Sequence, residues 1–544
     1  MKLQAPVSDP ATPPSSVADP HLSLPEVHGS IPLVPNRGWW RRFLAFAGPG
    51  YLVSVGYMDP GNWATDLAGG AQFGYALIWV ILLSNLMAMY LQSLCVKLGV
   101  VTGKDLAQAC RQQYSKPVSI VLWLLCEIAI IACDLAEVIG SAVALNLLFG
   151  VPLVWGVILT GFDVMLLLAA MHFGFRKIEA IVLWVLCEIA IIACDLAEVI
   201  GSAVALNLLF GVPLVWGVIL TGLDVMLLLA AMHFGFRKIE AIVLTLVSTV
   251  ALCFALQIFL AQPDWGGVAL GMLVPTLPGT EAFYIALGIL GATVMPHNLY
   301  LHTALVQTRD IGPTAADKRQ AVRYNITDTV IALGAAFFVN AAILIVAAAV
   351  FHRTGQFEVS ELQEAHRLLA PLLGAPIAST AFAVALLASG QSSTITGTLA
   401  GQIVMEGFLR IRVRPWLRRL VTRSLAIVPA VILISISGGK DTVALLVFSQ
   451  VVLSMQLSFA IFPLLAFTSD RRLMGEFANS TGVKILGYAI CSLIAGLNLS
   501  LLWQTIGTGW MALLVGAGAG FTLWVRYVYP RRHRVQEDPG HARK

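Results

Sequence analysis

With 544 residues, 58% of them hydrophobic and only 12% charged, the chain carries more apolar surface than a water-soluble core could hide, so the lipid bilayer must be its solvent. A net charge of +4 spread over short loops, with no concentrated basic patch, argues against a nucleic-acid partner and reports membrane orientation instead. The eight cysteines form no CxxC pair and mostly sit in apolar runs, where they read as small buried hydrophobes.

Residues 1 to about 36, rich in Pro, Ser and Asp, are expected to be a disordered tail and no signal peptide, since no charged segment precedes an apolar core there. Apolar runs able to cross the membrane follow near 43–68, 74–99, 118–149, 152–174, 180–210, 213–235, 240–262, 281–306, 327–352, 376–408, 420–437, 442–468, 483–503 and 508–529, fourteen in all. If Arg37, Arg41 and Arg42 hold the first end in the cytoplasm, the basic loops at Arg176/Lys177, Arg237/Lys238, Arg410 to Arg419 and Arg471/Arg472 all fall inside. Arg531, Arg532 and Arg534 do so too, and both termini are expected in the cytoplasm of a cell (inner) membrane protein.

Trp123 to Leu183 recurs as Trp184 to Leu244, a period of 61 residues with differences only at Leu124/Val185 and Phe162/Leu223. So close a match points to a recent tandem duplication or an error in the sequence record, not to an ancient structural repeat. Each copy holds one two-helix hairpin, so the sidedness of everything downstream is preserved. Without the extra copy the chain would have twelve spans.

Two spans carry helix-breaking chemistry in mid-membrane. In the first, Gly56-Tyr57-Met58-Asp59-Pro60-Gly61-Asn62 places a carboxylate, a Pro-Gly pair and an amide where the helix should unwind. An ionised Asp at the membrane centre costs about 2.5–3.5 kcal/mol, and unwound backbone adds unpaired carbonyls, so a bound cation is the economical compensation. The span near 281–306 carries Ala292-Thr293-Val294-Met295-Pro296-His297-Asn298. Aligning the prolines pairs Asp59 with Met295 and Asn62 with Asn298, and interruptions at matching places in two halves are the pattern of an inverted-repeat transporter with a midplane site. Asp59 offers a hard charged oxygen, Asn62 a neutral one, the turn at Ala292 a backbone carbonyl and Met295 a thioether. The soft sulfur leans the set towards Mn²⁺, Fe²⁺, Co²⁺ and Cd²⁺ and away from Mg²⁺ and Ca²⁺. On the third span, Glu127, Asp134, Glu137 and Ser141 cluster on one helical face, where membrane carboxylates mark ion or proton routes.

The stretches Gly56 to Trp63 and Ala292 to His302 resemble the two signatures of the natural resistance-associated macrophage protein family of proton-coupled divalent metal transporters. The likeness extends from about Phe46 to about Phe467, with further agreement at Asp134-Leu135-Ala136-Glu137 and from Ala388 to Gln402. It implies an all-α polytopic membrane protein with a LeuT-like 5+5 inverted repeat and two broken helices, to which C-terminal helices and the duplicated hairpin are added. The halves would be 37–262, containing the copies 123–183 and 184–244, and 263–468, with accessory C-terminal transmembrane helices at 469–529 and a cytoplasmic tail at 530–544. The resemblance further implies metal ligation by Asp59, Asn62, Met295 and the Ala292 carbonyl, with Gln450 joining in one conformation. It assigns a proton route to Asp59, Asp134, Glu137 and His297, with Arg418 or Arg419 further along, and Glu127 shares the Asp134 face. Glu188, Asp195 and Glu198 are the second-copy equivalents, and the sequence does not decide which copy lies beside the broken helices. Lipid, protons and divalent metal ions are the expected partners, with no cofactor and no nucleic acid, and no nucleophile-base pair or multi-His site suggests an enzyme. Two alternatives stay open: an organic-solute symporter on the same fold, whose anionic substrate Asp59 would repel, and a metal-binding relic or sensor that does not transport.

Overall fold

The computed structural model describes residues 23–24, 28–31, 43, 45–158, 236–357, 362–409 and 442–527. Among these residues seven helices are long and apolar enough to cross a membrane. The spans expected near 180–210, 213–235 and 420–437, and most of 152–174, lie outside the described residues.

Both expected breaks are present. The first span divides into α1 (Pro49–Gly56) and α2 (Pro60–Phe73), and Ile78–Thr102 follows as α3. A short α4 (Leu106–Gln113) leads into α5 (Lys116–Phe149), which belongs to the first copy of the repeat. After α6 (Phe236–Ala261) and the short α7 (Trp265–Leu273), the second interrupted span forms α8 (Gly279–Thr293) and α9 (Pro296–Leu305). Long α10 (Ala315–Val350), amphipathic α11 (Leu362–Leu373) and α12 (Pro376–Leu409) precede α13 (Thr442–Ser469). The chain closes with one-turn α14 (Arg471–Met474) and α15 (Thr481–Tyr527).

The break at each proline follows from backbone chemistry. Pro60 and Pro296 occupy the first turn of α2 and α9, where a missing N–H costs nothing, whereas inside a continuous helix either would remove a hydrogen bond and clash. The four half-helices pack among α5, α10, α12 and α13, so both breaks lie in the protein interior and away from lipid. That burial is what makes non-helical backbone tolerable at membrane depth.

Two expectations need correction. The spans read at 483–503 and 508–529 are one continuous 47-residue helix, α15. The Gly507-Thr508-Gly509 step lowers hydropathy but holds no proline, and a glycine costs only about 1 kcal/mol in a helix. The N-terminal 36 residues are also not wholly without structure. Gly29 N–H donates to Gln307 O at 3.0 Å, Ile31 N–H to Thr308 O at 3.1 Å and Asp310 N–H to Ile31 O at 3.0 Å. Leu24 and Ile31 are buried there, and the carbonyls left over where α9 runs out supply the acceptors.

Candidate metal site

Asp59 is the N-cap residue of α2, and its Oδ1 accepts from the Asn62 backbone N–H and from Asn62 Nδ2, both at 2.8 Å. The same Nδ2 donates to the Ala292 carbonyl at 3.1 Å, so one amide ties the first break to the second. Nearby, a side chain at Gly56 would run into the Asn298 amide, which shows how closely the two breaks approach.

Met295 is fully buried and receives a weak hydrogen bond from Asn298 Nδ2 at 3.6 Å. It packs in a small cluster with Ala129, Ala132 and Cys133 of α5 and Leu453 of α13, while Cys133 Sγ lies 4.0 Å from Asp59 Oδ2. Carboxylate and thioether therefore flank the same stretch of α5. Gln450 is fully buried against Gly61, where an added Cβ would collide with its side-chain amide, and its Oε1 has no hydrogen-bond partner among the described residues.

The structure thus brings together Asp59, Asn62, Ala292, Met295 and Gln450. An ion there would meet one carboxylate, neutral oxygens and a sulfur, a mixed set suited to a first-row transition ion. Asn62 hydrogen-bonds through its nitrogen, so it can ligate through Oδ1 only after its amide turns over. No group of three or more His, Cys, Asp or Glu able to hold a metal occurs among the described residues. The candidate site is consistent with that, since it relies on a single acid.

Of the proposed proton-route residues, Asp134 is buried on α5, as is Ser141 on the same face, and Glu127 accepts from Trp123 Nε1 at 3.0 Å nearer the helix start. His297 is buried in the first turn of α9, and its Nδ1 has no hydrogen-bond partner among the described residues. The Glu137 side chain, Arg418, Arg419, Glu188, Asp195 and Glu198 lie outside the described residues. Among described residues, the helix beside the breaks is the first copy's α5.

Sequence reasoning missed several polar groups around the breaks. Asn340 of α10 donates to Tyr57 O at 2.8 Å and to Asn62 Oδ1 at 3.3 Å, pinning the unwound turn. The Ser389 hydroxyl of α12 and Trp63 Nε1 both donate to Met58 O. Gln92 bridges Tyr57 OH and His302 Nδ1, each at 2.9 Å. A lone Asn within the apolar run Phe337 to Val346 was the available signal for Asn340, and Asp66, one turn beyond Asn62, was visible in the same way.

Two broken helices that meet through their unwound turns, held in a buried bundle, define a membrane transporter of the inverted-repeat, LeuT-like class. The sequence profile of natural resistance-associated macrophage protein-like proteins matches residues 50–186 and again 180–504, restarting a few residues before the second copy. Curated relatives include the divalent metal cation transporter MntH of a Nostoc species, 52% identical over 90% of this chain and 97% of that protein. The MntH of Agrobacterium fabrum is 51% identical over 89% of this chain and 93% of its own length. The crystal structure of the Eremococcus coleocola manganese transporter in complex with an aromatic bis-isothiourea compound superposes with a TM-score of 0.71 at 34% identity, covering 92% of this chain and 96% of that one. The chain belongs to the natural resistance-associated macrophage protein family.

Proposed function

We propose that the protein imports divalent transition-metal ions, of which Mn²⁺ and Fe²⁺ are the leading substrates, together with protons across the cytoplasmic membrane. The observation that carries this reading is the convergence of one carboxylate, Asp59, and one thioether, Met295, on a buried site built from two helix breaks. The names of the relatives, divalent metal cation transporters and a manganese transporter, support the same substrate class.

In this reading Asp59, Asn62, Met295, the Ala292 carbonyl and, in one conformation, Gln450 hold the ion. Burial of a carboxylate against apolar neighbours means that Asp59 carries either a proton or a cation, which is the elementary requirement for exchanging one for the other. Asp134, Glu127, Glu137 and His297 carry protons away from the site, with Arg418 or Arg419 beyond them. Residues 37–262 and 263–468 act as the two inverted halves, and both termini lie in the cytoplasm.

Proteoliposomes holding the full chain test this directly. Mn²⁺ uptake is expected to accelerate when the outside is acidic, and metal influx is expected to acidify the lumen. Uptake that follows Na⁺ and ignores pH would overturn the coupling, and absence of uptake by folded protein would overturn transport itself.

A further inference from the structure

Asp66 lies on α2, seven residues after Asp59 and four after Asn62, so it points within about 20–40° of the direction those residues take and sits on the order of 10 Å beyond Asp59 along the helix axis. It is only 1% exposed, and its Oδ2 has no hydrogen-bond partner among the described residues. The charged group that acts on it is Asp59, a like charge. Among the described residues nothing therefore compensates this carboxylate.

Its surroundings follow from the register of α2 against α10. Asn62 meets Asn340, and two turns on, a side chain at Gly70 would strike Leu344 O and the Ala347 Cβ. Asp66 falls midway between these two contacts. Asn340 spends its amide nitrogen on Tyr57 O and Asn62 Oδ1, while its Oδ1, also buried, has no hydrogen-bond partner among the described residues. Two unsatisfied oxygens thus occupy facing helices, that of Asn340 level with Asn62 and the acidic one of Asp66 a turn further out. The other wall, where Gly69 faces Ile285 and Ile289 of α8, is apolar. With both termini in the cytoplasm, α2 is the half-helix that leads from the site to the exterior.

We propose that Asp66 is a second cation-holding carboxylate, a station on the external route that takes up the incoming divalent ion two helical turns outside Asp59. The assignment rests on the transport reading above. A hydrated divalent ion entering between α2 and α10 supplies the positive charge that Asp66 lacks, and the Asn340 oxygen, one turn further in, is the next acceptor free to replace one of its waters. Movement on to Asp59 then exchanges one carboxylate for another, so the ion does not cross the apolar wall without an anionic partner.

The test uses the full chain in proteoliposomes with Mn²⁺ as the probe. Asp66→Asn, nearly isosteric, is expected to raise KM for Mn²⁺ roughly tenfold with a much smaller change in maximal rate, and Asp66→Glu to recover most of that loss. A KM within about twofold of the unchanged chain, or a fall in maximal rate alone, would mark Asp66 as structural packing and overturn the proposal. A second measurement works in intact cells, where no reconstitution is needed. Asp66→Cys is expected to become sensitive to an external, membrane-impermeant methanethiosulfonate, with Mn²⁺ slowing the reaction and the unchanged chain as control. A thiol at position 66 that stays unreactive during transport overturns the proposal as well. If the unchanged chain moves no Mn²⁺, it is the transport reading that fails, whereas transport with an insensitive KM sinks only the role of Asp66.

Discussion

The two breaks have the same proline logic but different caps. At the first, Asp59 closes α2 with its own side chain, accepting two hydrogen bonds from Asn62. At the second, Met295 stands at the N-cap position of α9 with no side-chain hydrogen bond to the backbone there, and only the Asn298 amide leans on its sulfur. The carboxylate is thus a structural cap as well as the proposed anionic ligand, while the thioether is held by packing and one weak hydrogen bond. Charge and architecture are coupled at the first break, whereas at the second the residue proposed to set selectivity caps nothing.

The largest expected effect comes from Asp59→Ala, which removes the proposed anionic ligand and a helix cap together. Mn²⁺ uptake is expected to vanish, with about 1 kcal/mol of stability lost from the cap. Near-normal uptake in that variant would remove the first break from the transport site. Gly61→Ala comes next, since its Cβ would collide with the Gln450 amide. Overpacking of this kind costs roughly 1–3 kcal/mol, to be read as a lower melting temperature in detergent alongside reduced uptake. An unchanged melting temperature would mean that Gln450 moves aside freely.

Met295→Ala is expected to cost about 2 kcal/mol through the cavity left by a fully buried side chain and to keep Mn²⁺ uptake, but to let Ca²⁺ and Mg²⁺ compete more effectively. Competition curves identical to those of the unchanged chain would show that the sulfur only fills space. The smallest effect concerns the support beneath α9. Asp105 caps α4, whose first amide, Leu106 N–H, donates to Thr303 Oγ1 at 2.9 Å. Burial outweighs the hydrogen bonds from Gln108 and Ser23 and pushes the Asp105 carboxyl up from 3.8 to about 6. The folded chain therefore holds this proton more tightly than the unfolded one. The resulting stability is present below about pH 4 and is lost as pH rises through about 6. Asn caps helices as well as Asp does, so Asp105→Asn is expected to flatten the melting temperature across that window, as a thermal-shift titration would show. A slope that persists would place the titrating group elsewhere.

How much of this was legible in the sequence depends on the kind of signal. Pro60 and Pro296 announced the breaks because a proline in an apolar run has no other good reading, and the polar residues beside them are ones the fold brings together. Asn340, Gln92 and Asp66 were visible as polar letters, but hydropathy carries no information on which neighbour a helix face meets. The pairing of Gly29 and Ile31 with the chain after α9 left no trace at all, since a few backbone hydrogen bonds over nearly 280 residues of separation need no side-chain pattern. Continuity of α15 was missed for the opposite reason, because a local dip in hydropathy was read as an interruption when no residue there enforces one.

Gln450 touches both halves at once. Its side chain fills the space beside Gly61 at the first break, and its backbone carbonyl lies where a side chain at Gly291, on the second broken helix, would have to go. Neither half-helix can shift against α13 without displacing the same residue. In the language of logic circuits this has the layout of a coincidence gate, with one residue of α13 as the input shared by both breaks.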